Sequence, residues 1–166
     1  MIDSVRACTG HDLAGLLDAA LDDSDARHHQ ERYALQQTGA ALYLLAWRGS
    51  ELAGRCTVLL TSKYAGVRQL LGCFPEINAL EARPPGQGAG SRLIASAEAT
   101  ARDRGATVIG LAVEPGNDSA RRLYERLGYR DWNHGLLIDE WDETDADGAT
   151  VRRHRDLCQY LVKTLS

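Results

Sequence analysis

A glycine-rich turn between a strand and a helix is the feature that most constrains this chain. It reads Pro-Pro-Gly-Gln-Gly-Ala-Gly-Ser at residues 84–91, after an apolar run at 76–83 and before a helical pattern at 91–104. Three alternate glycines let the backbone approach a ligand closely, and the first N–H groups of a helix have no intrahelical partner. Those N–H groups and the helix dipole favour an anion. The turn therefore predicts a diphosphate site at a helix start near Gly90.

The rest of the composition limits the class of protein. The 166 residues suit a single domain over residues 1–166, and 44% apolar with 25% charged residues is ordinary for a soluble globular chain. A net charge of -4 argues against bulk binding to nucleic acid or to an anionic membrane. No apolar run approaches the roughly 20 residues that span a bilayer, and residues 1–6 lack a signal-peptide pattern. We therefore expect a cytoplasmic protein.

The cysteines predict neither a metal site nor a disulfide framework. All four are scattered, and none forms a C-x-x-C pair: Cys8, Cys56, Cys73 and Cys158. Buried free thiols in a reducing cytosol are the better interpretation, and we expect no metal.

Hydrophobic periodicity predicts alternating strands and helices. Strands are predicted at 2–8, 40–47, 52–61, 76–83, 107–113, 129–132, 135–138 and 157–165, and helices at 11–22, 26–37, 91–104 and after Asn117. In the strand at 76–83, Ile77 and Ala79 are expected to point inward, with Leu80 as a further candidate. Residues 62–72 read as a loop or hairpin edge, and 139–150 as a polar stretch with a turn. The strand–helix–strand order across 76–113 implies a right-handed parallel crossover.

Two blocks together carry a family resemblance. The first is the strand end Leu80-Glu81-Ala82, followed by Gly-Gln-Gly-Ala-Gly at 86–90 and then Leu93-Ile94. The second is Asn-Asp-Ser-Ala-Arg-Arg-Leu-Tyr-Glu-Arg-Leu-Gly-Tyr at 117–129. In this order and at this separation, residues 80–132 resemble the core of the GNAT superfamily of acetyl-CoA-dependent N-acetyltransferases. The resemblance covers about a third of the chain.

The loop departs from the family pattern at one position, and other interpretations of its glycines fit less well. The family usually has Arg or Gln where this chain has Pro85, and Arg83 or Gln87 could replace that contact. A P-loop requires Gly-Lys-[Ser/Thr], and no lysine is present. The dinucleotide fingerprint requires glycine at Ser91 in the register that starts at Gly86. A glycine-rich turn without any ligand stays as the third alternative.

The resemblance implies a fold and a co-substrate. The fold is α/β (α+β): a mixed, mostly antiparallel sheet whose central parallel strand pair splays around the cofactor, with helices on both faces. Acetyl-CoA would place its pyrophosphate on main-chain N–H groups of residues 87–91 and its pantetheine arm along the strand edge. Asn117 would contact that arm, in addition to the helix cap that its local position predicts. The implied cofactor-binding residues are Leu80, Glu81, Ala82, Gln87, Gly88, Ala89, Gly90, Ser91 and Asn117.

The resemblance also implies catalytic roles. A neutral amine would attack the thioester directly, and Tyr124 matches the family's acid that protonates the departing thiolate. A phenol, with a pKa of about 10, is close enough to a thiol to share a proton. The alternative for Tyr124 is an ordinary aromatic on a helix face. The base would be Glu76, Glu114 or a water chain, and each carboxylate could instead be a solvated surface group.

The predicted function is transfer of an acetyl group to a primary amine of a small molecule or a protein. The alternatives are a non-catalytic acyl-CoA-binding module and a transferase that uses another acyl-CoA donor. His28 and His29 lie on a helix predicted to be exposed, as a solvated face or as part of the acceptor wall. The basic run at 152–155 is expected to face solvent. Superfamily members often pair, so the last strand could abut or exchange across a homodimer.

Overall fold

The computed structural model describes residues 1–145 and 147–166. The helices are α1 Gly10–Asp18, α2 Asp23–Gln37, α3 Ala65–Leu71, α4 Ala89–Asp103 and α5 Asp118–Arg126. The strands are β1 Ser4–Ala7, β2 Ala41–Arg48, β3 Glu51–Leu59, β4 Glu76–Ala82, β5 Val108–Val113, β6 Arg130–Asp131, β7 Leu137–Thr144 and β8 Thr150–Thr164. These elements fall into two compact units: residues 1–109 with 164–166, and residues 110–163.

The first unit is built on the antiparallel strands β1 to β4. They lie in the order β1-β2-β3-β4, and β5 begins beside β4 and parallel to it. Side chains alternate across this sheet. Tyr43 and Leu45 of β2 pack in a cluster with Leu16 of α1, whereas Gly54 of β3 faces Leu93 of α4. The helices therefore cover both faces, and the predicted mixed α/β fold with a parallel strand pair is confirmed.

Helix α2 contacts this sheet through polar side chains. Gln36 donates from Nε2 to the carbonyl of Cys8 at 2.8 Å and accepts from the N–H of Tyr43 at 2.9 Å. His29 bonds the Tyr43 hydroxyl through Nδ1 at 2.7 Å and is only 2% exposed. The prediction of a solvated face at His28 and His29 is therefore wrong for His29. The side of α2 that carries His29 and Gln36 points toward the sheet although it is polar.

Strand β4 contains a bulge. Arg55 pairs with Glu81 and Thr57 pairs with Asn78, so two residues of β4, at positions 79 and 80, oppose one of β3. Ala79 has a left-handed φ of 51° and is exposed. The prediction that Ala79 points inward is wrong because the bulge rotates its side chain away, whereas Ile77 is buried as predicted.

Two further predictions on element boundaries are corrected. Residues 62–72 are not a loop or hairpin edge but contain α3, whose single buried residue, Val67, gives too weak a periodic signal. The last strand is predicted from 157, but β8 begins at Thr150 and pairs along β7. The prediction fails because the first half of β8 is basic, and its arginines pair with acids of β7, as Arg153 does with Asp142 at 2.8 Å. The basic run faces solvent, as predicted.

Within the described residues, no helix is both long and apolar enough to cross a bilayer. All four cysteines are free thiols. Cys8, Cys56 and Cys158 are buried as predicted, but Cys73 is exposed, in the turn before β4.

In the second unit, β8 lies between β5 and β6, and β7 pairs with its other half. Gly110 of β5 faces the ring of Tyr160, which is fully buried. A Cβ at Gly110 would lie 2.7 Å from the Cε1 and Cζ atoms of that ring. Glycine at this position therefore leaves the room that the Tyr160 ring occupies against the strand.

We expect Gly110→Ala to lower the free energy of unfolding by about 2 kcal/mol, since the added methyl overpacks a buried ring. Urea unfolding followed by circular dichroism measures this change. Gly15→Ala is the matched control, because a Cβ at Gly15, in α1, would meet nothing within 4 Å. The free energy of unfolding of this control should rise by about 0.5–1 kcal/mol. Equal stability of Gly110→Ala and the wild type would contradict close packing of the Tyr160 ring on Gly110.

Candidate active site

The glycine-rich turn leads into α4 with an uncapped helix start. Gly86 and Gly88 have φ values of 78° and 84°, and α4 begins at Ala89. Gly88 is the N-cap, and no side chain makes a capping hydrogen bond there. A Cβ at Gly86 or Gly88 would meet no heavy atom within 4 Å. The first N–H groups of α4 thus have no side-chain cap and lie at the positive end of the helix dipole, next to a turn with open space at its Cβ positions.

Both ends of this turn are anchored. The N–H of Arg83 donates to the carbonyl of Ala53 at 2.9 Å, and the N–H of Arg92 donates to Gly88 at 3.1 Å. Ala89 is 1% exposed, whereas residues 83–88 are exposed. An exposed turn held between a strand and a buried helix start is preorganised for a ligand, because little order is lost on binding.

Arg55 of β3 connects the strand end at Glu81 to helix α2. Its Nε donates to Glu81 at 3.0 Å and its Nη1 donates to Asp25 at 2.8 Å. Burial opposes ionisation of Asp25, but hydrogen bonds from Arg55 and from the N–H of Leu21 outweigh it and lower the pKa of Asp25. Arg55 also lies 3.1 Å from Nε2 of His29. These contacts fix Glu81, whose backbone belongs to the predicted cofactor edge.

The two candidate bases differ in their surroundings. Glu76, the first residue of β4, is 1% exposed and accepts a hydrogen bond from the hydroxyl of Ser62. Ser62 is held in turn by the N–H of Tyr64 at 3.2 Å. Glu114 is exposed just after β5. The solvated alternative therefore describes Glu114 and not Glu76.

In the second unit, Asn117 directly precedes α5, and Tyr124 lies on that helix. Asn117 caps the helix, because its Oδ1 accepts from the N–H of Ala120 at 3.1 Å. It also lines a cavity of about 150 Å³ together with Arg121 and Gln159. Tyr124 is 7% exposed, with its ring 6.1 Å from that of Tyr129.

The order and spacing of these elements match a known family model. The model of the acetyltransferase (GNAT) family matches residues 13–129 and includes the glycine-rich turn, α4 and α5. The chain belongs to the GNAT family of acetyltransferases. It is therefore an acyltransferase, and acetyl-CoA is its co-substrate.

Solved structures support the fold. A ribosomal-protein-alanine N-acetyltransferase from Brucella melitensis is 21% identical, with a TM-score of 0.66 over 98% of this chain and 100% of that one. The Salmonella typhimurium protein yncA, solved with its cofactor acetyl-CoA, is 20% identical, with a TM-score of 0.64 over 98% and 94%. Aminoglycoside 6'-acetyltransferase type Ii is 18% identical, with a TM-score of 0.64 over 99% and 98%. No curated protein matches the sequence significantly.

The residues present fit acetyl-CoA. An uncapped helix start, two glycines with open space at their Cβ positions and an exposed turn suit a diphosphate. When bound, acetyl-CoA supplies the acetyl thioester, and the uncapped start of α4 offers N–H groups that would hold its diphosphate. The contacts among Asp25, His29, Arg55 and Glu81 were not predicted, because they join α2, β3 and β4 over long sequence separations. Their one local signal is the i, i+4 spacing of Asp25 and His29.

Proposed function

We propose that this GNAT enzyme transfers the acetyl group of acetyl-CoA to a primary amine by direct attack within a single domain. The uncapped glycine turn at the start of α4, inside the region matched by the family model, carries this proposal. Main-chain N–H groups of residues 87–91 hold the diphosphate, and the edge at residues 80–82 holds the pantetheine arm. Asn117 contacts that arm in addition to capping α5.

The proposed step forms one bond and breaks one. The amine nitrogen bonds to the acetyl carbon, and the bond between that carbon and the CoA sulfur breaks. Glu76 accepts the proton that the amine loses, and Tyr124 donates a proton to the departing thiolate. The burial of Glu76 and its hydrogen bond from Ser62 support this choice, because they hold the carboxylate in one orientation.

Release of free CoA over a panel of amines tests the function. The panel contains polyamines, aminoglycosides, L-amino acids and a lysine-containing peptide, and calorimetry measures acetyl-CoA binding separately. We expect acceptor-dependent thiol release. Binding of acetyl-CoA without release would support a non-catalytic module, and faster release from succinyl-CoA than from acetyl-CoA would support another donor.

Glu76→Gln is expected to remove the acidic limb of the pH profile of kcat/KM and to lower kcat about 100-fold, since a general base contributes about that factor. Rates from pH 5 to pH 9 with the best amine of the panel measure this effect. Glu114→Gln is the matched control and should keep the limb. If the limb persists in Glu76→Gln and disappears in Glu114→Gln, the base is Glu114; if it persists in both, neither carboxylate is the base.

A cytoplasmic location and a homodimer belong to the same proposal. The free cysteines agree with a reducing compartment. Ile138 and Leu157 face each other across β7 and β8 and are 43% and 54% exposed, which supports pairing of two copies through this hairpin. A monomer mass in sedimentation at micromolar concentration would reject the dimer.

A further inference from the structure

Three buried polar atoms surround Tyr43 on the α2 face of the first unit's sheet. They are Nε2 of His28, Nε of Arg32 and Oγ1 of Thr57, and none has a hydrogen-bond partner among the described residues. Buried polar atoms in folded proteins are nearly always paired. Three such atoms around one side chain therefore indicate a place where a ligand supplies the partners.

All three side chains lie next to Tyr43. Tyr43 is fully buried, and its hydroxyl is already bonded to His29. The His28 ring lies 6.2 Å from the Tyr43 ring, edge to face. Thr57 is the cross-strand partner of Tyr43, so both side chains point to the same face of the sheet. Arg32 lies one helical turn after His28 on α2 and interacts electrostatically with Tyr43.

The charges favour an anion. The charge of Arg55 is neutralised by two carboxylates: Nη1 lies 2.8 Å from Oδ1 of Asp25, and Nη2 lies 2.9 Å from Oε2 of Glu81. Arg32 makes no ion pair within 4 Å in the described part of the chain; burial lowers its pKa, and the nearby Glu31 only partly opposes that shift. Burial, followed by Arg55 and Arg32, lowers the pKa of His28 to about 4, so His28 is neutral at neutral pH and can donate from Nε2. A half-buried guanidinium with an unpaired Nε–H is better satisfied by an anionic acceptor than by a neutral one, so this spot favours a negative group.

The spot also adjoins the strand that carries the cofactor edge. Thr57 pairs with Asn78 of β4, directly before the bulge at Ala79. A group bound beside Thr57 is therefore one strand away from the backbone at which acetyl-CoA is proposed to bind. An acceptor that is anchored there by an anionic group would present its amine close to that backbone.

We propose that His28, Arg32 and Thr57 bind the carboxylate of the acceptor, and that the acceptor is an amino acid or another amine that bears a carboxylate. This inference rests on the proposed function. The two oxygens of a carboxylate can accept from all three donors and supply the missing charge. Water could satisfy the donors, but it would add no negative charge beside the Arg32 guanidinium.

The test compares L-amino acids with their primary amides, because each pair keeps the amine and the side chain and differs in the carboxylate. We expect kcat/KM for the best acid to exceed that of its amide by about 30-fold, as for hydrogen bonds to a charged group. Arg32→Gln and His28→Ala should reduce this preference to less than about threefold. Thr57→Val removes the hydroxyl with little change in shape and should lower the acid rate about tenfold without lowering the melting temperature.

The matched control is Arg104→Gln, which removes the same charge from an exposed position at the end of α4. It should keep the full preference for the acid. Equal rates for acids and amides in the wild type, no reaction with any acid, or a preference that survives in Arg32→Gln would overturn the inference. If other amines of the panel still release CoA in those cases, the acetyltransferase proposal stands and only the carboxylate site fails.

Discussion

Replacing Tyr124 by phenylalanine is expected to lower kcat about 100-fold while the dissociation constant for acetyl-CoA changes less than about twofold. The phenol is the proposed donor to the thiolate of CoA, and phenylalanine keeps the ring, which is 7% exposed, but removes the proton. Without a donor, the thiolate leaves in its charged form, and the barrier to C–S cleavage rises. Steady-state thiol release gives kcat, and calorimetry gives the dissociation constant.

Tyr33→Phe is the control for this experiment. Tyr33 is half-buried and packs against the cluster of α1 and β2, so the variant also removes one hydroxyl from an aromatic in a packed surrounding. Its kcat should stay within about twofold of the wild type. Full activity of Tyr124→Phe with a normal melting curve would show that Tyr124 is only a packing residue of α5.

Replacing Gly88 by aspartate is expected to weaken acetyl-CoA binding about 100-fold. The aspartate brings a negative charge to the N-terminus of α4, where the diphosphate is proposed to bind. Two negative charges in neighbouring positions repel each other strongly. The new side chain meets no protein atom within 4 Å of its Cβ, so the fold itself offers no steric obstacle. Calorimetry with acetyl-CoA, and with CoA alone, measures the loss.

Gly105→Asp is the control that distinguishes two effects of Gly88→Asp: the negative charge placed at the proposed diphosphate site and the backbone strain of a side chain at positive φ. Gly105 follows the other end of α4, has a φ of 78° and also has nothing within 4 Å of its Cβ position. Both variants place aspartate in the left-handed region, so both should lose about 1 kcal/mol of stability. Only Gly88→Asp should lose affinity. Equal affinity of the two variants for acetyl-CoA would mean that the diphosphate binds elsewhere.

Most of the fold could be predicted because its signals are local. The hairpin of β2 and β3, the glycine turn, α4 and β5 each show their period and their end signals within about 15 residues of sequence. The position of α2 along the chain was predicted correctly. The side of α2 that faces the sheet was not predicted, because that side carries His29 and Gln36 instead of apolar side chains. Sequence periodicity identifies the buried side of a helix only when that side is hydrophobic.

For the candidate site, the sequence points only to those parts that lie in short contiguous motifs. The turn at 84–91 and the block at 117–129 were found because short contiguous motifs carry them. The contacts of Arg55 with Asp25 and Glu81 depend on how β3 pairs with β4 and where α2 lies, so no local pattern encodes them. The bulge at Ala79 was missed for a related reason: an extra residue in one strand is defined only by its partner strand.

The polar docking of α2 has a consequence for how this enzyme could change its acceptor. Exchanging an apolar residue in a packed interface leaves a void that costs several kcal/mol. Exchanging Arg32 would alter the charge at the proposed carboxylate site without removing any member of the hydrophobic cluster of Cys8, Leu16, Tyr43 and Leu45. New selectivity can therefore evolve along this helix through single substitutions, at little expense to folding.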